Sequence, residues 1–310
     1  MSTTRIQLAF AIAGSVLLGA VAVLVVIAFV GGDGGTAPEA AASASASDDA
    51  SGLRPPFIPS SSPGPSAGPS GSASPGPSGA AAPGRPGGGA RIPAGVVNLT
   101  NWKLTLPVAK AGSSKAQEIL QPQLANYAIS PYFTVNGSGD GIVFQAQAGG
   151  ATTSGSGYPR SELREMTGNG AQEASWSTTS GTSTMTLRAA ITHLTTVKPQ
   201  VTVAQVHDSS DDVLVVRLDG PHHLYAEHNG KDYGDLDNNY SLGTPFAVQF
   251  VASGGHIRIS YNGVPKVDYP ISSSGDYFKA GCYTQSNTSK GDAPTAYAEV
   301  VIYRLEVAHG

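Results

Sequence analysis

Tyr158-Pro159-Arg160-Ser161-Glu162-Leu163-Arg164-Glu165-Met166 reads as a β-strand with two unlike faces. Side chains alternate along a strand, so Arg160, Glu162 and Arg164 share one face while Ser161, Leu163 and Glu165 point the other way. Two guanidiniums flanking a carboxylate are costly on a buried sheet face. They suit the floor of a groove that holds an anion, because arginine presents a planar fork of donors matched to carboxylates. A solvated ladder of surface salt bridges is the other reading of the same pattern.

The sequence on both sides repeats this alternation. From about Ile92 onward, short runs rich in Val, Ile, Thr, Tyr and Phe are separated by Gly, Asn, Asp and Ser. They include Gly141–Ala146, Ser183–His193, Gln200–His207, Val213–Leu218, Phe246–Ala252, Ile257–Tyr261 and Tyr297–Val307. Many short strands with regular turn signals predict an all-β fold, a jelly-roll sandwich of two antiparallel sheets. One short helix is expected over Lys115–Gln121. Gly149–Gly157, Asp208–Asp212 and Asn229–Gly243 are expected to be long loops of the kind that rim a groove.

Upstream the composition changes. Leu8–Val30 is an apolar run preceded by Arg5, long enough for a bilayer-spanning helix of about 20 residues. Residues 1–31 are expected to be a signal anchor or, with the Ala-rich text that follows, a cleaved signal peptide. Residues 32–91 are Gly, Ala, Ser and Pro with few bulky apolar groups. Such a segment buries too little surface to offset its ordering entropy and is expected to be a disordered tether. Residues 92–310 form the predicted globular domain, exported and either secreted or held at the membrane.

The formal net charge is −4, with 14 of 18 Lys+Arg and 18 of 22 Asp+Glu beyond residue 93. A mildly acidic domain is a poor match for nucleic acid, whose phosphates call for a basic face. An anionic ligand would have to be drawn by a local cluster such as Arg160 and Arg164. Cys282 is the single cysteine. It excludes an intrachain disulfide and a cysteine-rich metal site, and a domain of this size can be held by its core alone.

Two further strands carry polar faces. In Gln205-Val206-His207, Gln205 and His207 share a face and Val206 enters the core. A neutral histidine is a common general base, although a lone one is more often structural. In Tyr277-Phe278-Lys279-Ala280-Gly281-Cys282-Tyr283-Thr284-Gln285, Tyr277, Lys279, Gly281, Tyr283 and Gln285 share one face. Phe278, Ala280, Cys282 and Thr284 suit a core, which makes Cys282 a small buried hydrophobe. Three such strands converging would line one concave sheet with Arg, Glu, Gln, His, Lys and Tyr. A glycosidase needs a second carboxylate beside Glu162, which the motif does not supply. A serine hydrolase needs a nucleophile elbow, which is absent. His222, His223 and His228 do not space as a catalytic metal set, since His223 and His228 fall on opposite strand faces. The remaining inventory suits β-elimination on a polyuronate.

These three motifs, in this order, resemble polysaccharide lyase family 7, the jelly-roll alginate lyases. That family is marked by R-[ST]-E-[LV]-R, Q-[IV]-H and Y-[FW]-K-x-G-x-Y-x-Q, which stand here as Arg160–Arg164, Gln205–His207 and Tyr277–Gln285. The Trp102–Pro107 stretch is similar to the family's opening, and the likeness spans nearly all of 94–310. The resemblance implies that Arg160 and Gln205 neutralise the substrate carboxylate. It implies His207 as base for guluronate, and Tyr283 as acid and, for syn elimination, also as base. Arg164, Lys279 and Gln285 would bind neighbouring sugars and Glu162 would orient the arginines. It implies no metal cofactor, alginate as substrate, a monomer, and through Val206 a leaning toward mannuronate. A lyase of another polyuronate such as glucuronan, and a non-catalytic carbohydrate-binding domain on a tether, are the alternatives.

Overall fold

The computed structural model describes residues 91–310. The apolar run and the Ser/Pro/Gly stretch lie outside these residues. Among the described residues there is no α-helix, only three 3-10 turns at Pro93–Gly95, Gln123–Asn126 and Thr288–Lys290. No helix there is long and apolar enough to cross a membrane.

Two antiparallel sheets pack face to face as a jelly roll. The sheet that carries the polar motifs runs, edge to edge, Lys231–Asp237, His223–His228, Asp212–Asp219, Gln200–His207, Ser274–Thr284, Arg160–Thr167, Trp102–Ala109 and Ala116–Ile119. The second sheet runs Val264–Pro270, His256–Tyr261, Phe246–Ser253, Thr182–His193, Tyr297–His309, Ile142–Gln147 and Phe133–Val135. The order places the three motif strands side by side. The tyrosine strand (Ser274–Thr284) lies between the histidine strand (Gln200–His207) and the arginine strand (Arg160–Thr167). Residues more than 100 positions apart thereby become lateral neighbours.

Alternation fixes what each strand buries. Leu104, Leu163, Val206, Phe278, Ala280 and Cys282 come from the polar sheet, and Met185, Leu187, Ile191, Val300 and Ile302 from the other; all join one hydrophobic cluster. Each fully buried Leu, Ile or Phe contributes about 1.5–3 kcal/mol. Cys282 is completely buried and its thiol donates to the Ala298 carbonyl, 3.2 Å away. Burial pushes that thiol far above its ordinary range.

Two expectations need correction. Lys115–Gln121 is not helical: Ala116–Ile119 is an edge strand paired with Trp102–Ala109. Its helix-forming residues yield to the hydrogen bonds that an open sheet edge offers, tertiary context overriding a weak local preference. Asn229–Gly243 is not one long loop, since Lys231–Asp237 is a strand that forms a hairpin with His223–His228. Its Asp- and Gly-rich text hid a strand that is mostly exposed.

Glu165 sits on the inward face of the arginine strand and is buried, yet it is well partnered. Its carboxylate accepts from Trp176 Nε1 at 3.0 Å, the Phe278 backbone N–H at 2.9 Å and His309 Nε2 at 2.6 Å. The C-terminal strand, the tyrosine strand and the Trp176 turn are tied together at this point. Glu165→Ala strands the buried Phe278 N–H and the half-buried Trp176 Nε1–H. It is expected to cost about 3 kcal/mol in denaturant unfolding, the scale for removing one partner of a buried charged network.

Candidate active site

The three polar faces open into one groove of about 600 Å³. Arg160, Arg164, Gln205, His207, Tyr277, Lys279 and Tyr283 all line it. Register explains the convergence: Tyr283 lies opposite Arg160, Gly281 opposite Glu162, Lys279 opposite both Arg164 and Gln205, and Tyr277 opposite His207. Gly281 has φ +151°, and a Cβ there would stand 2.5 Å from the Ser161 carbonyl oxygen and 2.7 Å from Glu162 Cα. Only glycine lets the two backbones approach here. The pairing with the histidine strand slips between Ala280 and Tyr283, a bulge beside this glycine, and bulges re-aim side chains next to functional sites.

Glu162 is 1% exposed and forms the hub beneath the floor. It receives Arg160 Nη1 at 3.0 Å, Lys279 Nζ at 2.6 Å and a short bond from Gln205 Nε2. Its own burial opposes ionisation, but the charges of Lys279 and Arg160 and these hydrogen bonds outweigh that and hold its carboxyl below the usual range. Glu162 therefore organises Arg160, Lys279 and Gln205. It does not hold both arginines, because Arg164 reaches instead toward Glu173 at 3.2 Å and stacks over the Tyr277 ring at 3.8 Å. Burial lowers Lys279 to about 8 despite the Glu162 carboxylate.

Arg160 is 6% exposed. Its guanidinium lies 3.6 Å from the centroid of the Tyr283 ring, and its Nη2 donates to Ser156 Oγ at 3.2 Å. Its Nε–H is buried with no protein partner. An unpaired buried donor costs about 1–3 kcal/mol.

His207 is stacked on Tyr277, with ring centroids 5.3 Å apart. Its Nδ1 bonds the Asp208 carbonyl at 2.6 Å. A carbonyl only accepts, so Nδ1 carries the proton and Nε2 keeps a lone pair. Burial, then the charge of Lys279, depresses the imidazole below its ordinary value. The ring is thus neutral and able to accept a proton near neutral pH. The acidic limb of kcat/KM is expected below the ordinary histidine value of about 6.5. Lys279→Met, which removes a positive charge beside the ring, is expected to move that limb upward in a pH–rate series.

Gln285 stays out of the groove lining, as does Glu162 beneath the floor. The strand ends at Thr284, and Gln285 is buried, its backbone N–H on the Gln200 carbonyl and its amide on the Tyr283 carbonyl. The histidines take separate partners: His222 bonds the Tyr240 carbonyl, His223 the carboxylates of Asp232 and Asp235, and His228 lies against Tyr233 and Tyr269. Several lining groups escaped the sequence reading. Lys103 bridges Glu118 at 2.8 Å and Glu173 at 3.1 Å. Ser156 touches Tyr283. Asp211 and Asp212 flank the His207 end, and Asp212 is pushed up to about 6 by burial and by the charges of Glu227 and Asp211. Alternation from Trp102 would have exposed Lys103; the loop residues carry no such signal.

The family model described as alginate lyase matches residues 97–309. The chain belongs to polysaccharide lyase family 7. The solved alginate lyase AlgAT5 of that family is 55% identical, with a TM-score of 0.69, covering 71% of this chain and 99% of that one. An alginate lyase from Corynebacterium sp. is 47% identical, with a TM-score of 0.68 and the same coverages. A curated alginate lyase of Klebsiella pneumoniae is 27% identical over 284 residues, spanning 70% of this chain and 91% of that protein. A carbohydrate-binding domain without catalysis is thereby set aside: the chain is a polysaccharide lyase, and its groove is that of an enzyme.

Proposed function

We propose that this lyase cleaves alginate with Arg160, Gln205, His207 and Tyr283 as its reacting set. Arg160 and the second amide hydrogen of Gln205 bind the uronate carboxylate and neutralise it, which acidifies the proton on C5. His207 Nε2 accepts that proton at guluronate; Tyr283 accepts it where the leaving group stands on the same side. The C5–H electrons form the C4–C5 double bond and the C4–O bond breaks. Tyr283 returns a proton to the departing glycosidic oxygen. Arg164 and Lys279 hold neighbouring uronates, and Glu162 keeps Arg160, Lys279 and Gln205 in place. No step in this sequence calls for a metal.

The observation that supports this reading most is the shared groove, in which a neutral imidazole and a phenol under a guanidinium flank one patch of cationic floor. The proposal extends to mannuronate-rich blocks as the preferred polymer, on the strength of Val206, which is fully buried and would act only through packing. It also takes the lyase to be a monomer that is exported, with residues 1–31 as anchor or signal and the Ser/Pro/Gly stretch as tether. Digestion of mannuronate-rich, guluronate-rich and glucuronate polymers, followed by the ultraviolet absorbance of unsaturated uronate and product sizing, tests the assignment. The expected order of rates is mannuronate-rich, then guluronate-rich, with glucuronan unattacked. Fastest cleavage of glucuronan would overturn the substrate, and equal rates on both alginates would overturn the preference.

A further inference from the structure

Ser156 lies in the Gly149–Gly157 segment, in none of the three motifs, yet it touches two of the groups named above. Its Oγ is 2.9 Å from the Tyr283 hydroxyl and 3.2 Å from Arg160 Nη2. It also accepts from the Tyr158 backbone N–H at 3.2 Å and lies 3.3 Å from the Tyr158 carbonyl. Counting donors and acceptors decides the direction of the bond to tyrosine. A hydroxyl oxygen has two lone pairs and one proton. Arg160 and the Tyr158 N–H can only donate, so they fill both lone pairs. Were Tyr283 to donate as well, three donors would converge on one oxygen. The Ser156 proton therefore goes out, and Tyr283 is its nearer acceptor, at 2.9 Å against 3.3 Å for the Tyr158 carbonyl.

We propose that Ser156 is a positioning residue that donates to the Tyr283 oxygen and thereby turns the tyrosine's own proton into the groove. This rests on the acid–base role given to Tyr283 above. The same bond serves both halves of the reaction. While Tyr283 is protonated, Ser156 occupies the outward side of its oxygen and leaves the O–H free to meet the leaving glycosidic oxygen. Once Tyr283 has given up its proton, the Ser156 donor faces the phenolate and stabilises it, as a preorganised dipole aimed at developing charge.

The surroundings hold Ser156 for this task. Gly155 before it takes φ +80°, which the turn requires and glycine adopts freely. The Gly157 carbonyl after it accepts from Asn287 Nδ2 at 2.7 Å, and Asn287 itself caps the 3-10 turn Thr288–Lys290. The segment is thus tied, just after the serine, to the loop that follows the tyrosine strand.

Ser156→Ala removes the donor without crowding the groove. The expected result is a fall in kcat of about ten- to a hundredfold, the range for one hydrogen bond to a charged group, with KM within about twofold. The optimum of the pH–rate profile moves upward, and Ser156→Thr, which keeps a hydroxyl, recovers most of the rate. In a Tyr283→Phe background, Ser156→Ala should change the residual rate no further. A loss confined to KM, an unshifted profile, or failure of threonine to rescue while thermal stability is intact would overturn the proposal. The Tyr283→Phe assay separates the two levels. If that variant is inactive while Ser156→Ala runs at full rate, only the role of Ser156 falls. If Tyr283→Phe stays active, the acid–base reading has failed and the serine proposal with it.

Discussion

Tyr283→Phe is expected to lower turnover at least about a thousandfold and to leave oligosaccharide binding within about twofold, since acid–base groups contribute about 10²–10⁴ each and this one is asked to act twice. The ring itself does most of the packing. It lies under the Arg160 guanidinium at 3.6 Å and near Tyr158, with ring centroids 6.5 Å apart. Phenylalanine keeps those contacts and loses only the oxygen. The chemistry should therefore fail on an intact surface. Stopped assays for unsaturated product, paired with calorimetric titration of an oligouronate, separate the two quantities. Near-normal product formation would reject tyrosine as the proton donor.

Arg160→Ala has the second largest expected effect, and of a different kind. In the proposed mechanism this side chain neutralises the carboxylate; in the structure it covers the Tyr283 ring and completes the ion cluster around Glu162. Its loss should raise KM and lower kcat together, with kcat/KM down about a thousandfold. Lysine should rescue little, because a single ammonium cannot donate to Glu162 and Ser156 while also stacking on the ring. Glu162 retains Lys279 and Gln205, so the fold should survive, and circular dichroism checks this. Unchanged kinetics would mean that the arginine strand is only a solvated ladder.

What was legible in the sequence followed from alternation. The period of two put Arg160, Glu162 and Arg164 on one face and Leu163 on the other, and it did the same for Gln205 and His207 and for Tyr277, Lys279 and Tyr283. The order of strands was not legible in that way. No local pattern says that Tyr283 lies opposite Arg160 rather than some other residue; three polar faces and the likeness to family 7 point to a gathering, but not to its register. Glu162 shows the limit clearly. Its own strand implies service to the two arginines flanking it, whereas two of its three partners, Lys279 and Gln205, come from the tyrosine strand and from the histidine strand beyond it. Alternation and the family motif both put Gln285 on the polar face, but the strand ends one residue before it. Ala116–Ile119 reads as helix in isolation and became a strand because an open edge lay beside it. Ser156 is one serine in a Gly/Ser-rich segment, and nothing in its neighbours distinguishes it until Tyr283 and Arg160 close around it.

The lone thiol has a practical use. Cys282 precedes Tyr283 and points into the interior, wholly shielded and bonded to the Ala298 carbonyl of the opposite sheet. A thiol-directed dye can reach it only when the two layers part. Labelling kinetics would thus time the opening of the sandwich from a probe one residue away from the proposed proton donor, in a molecule with no second cysteine to confuse the signal.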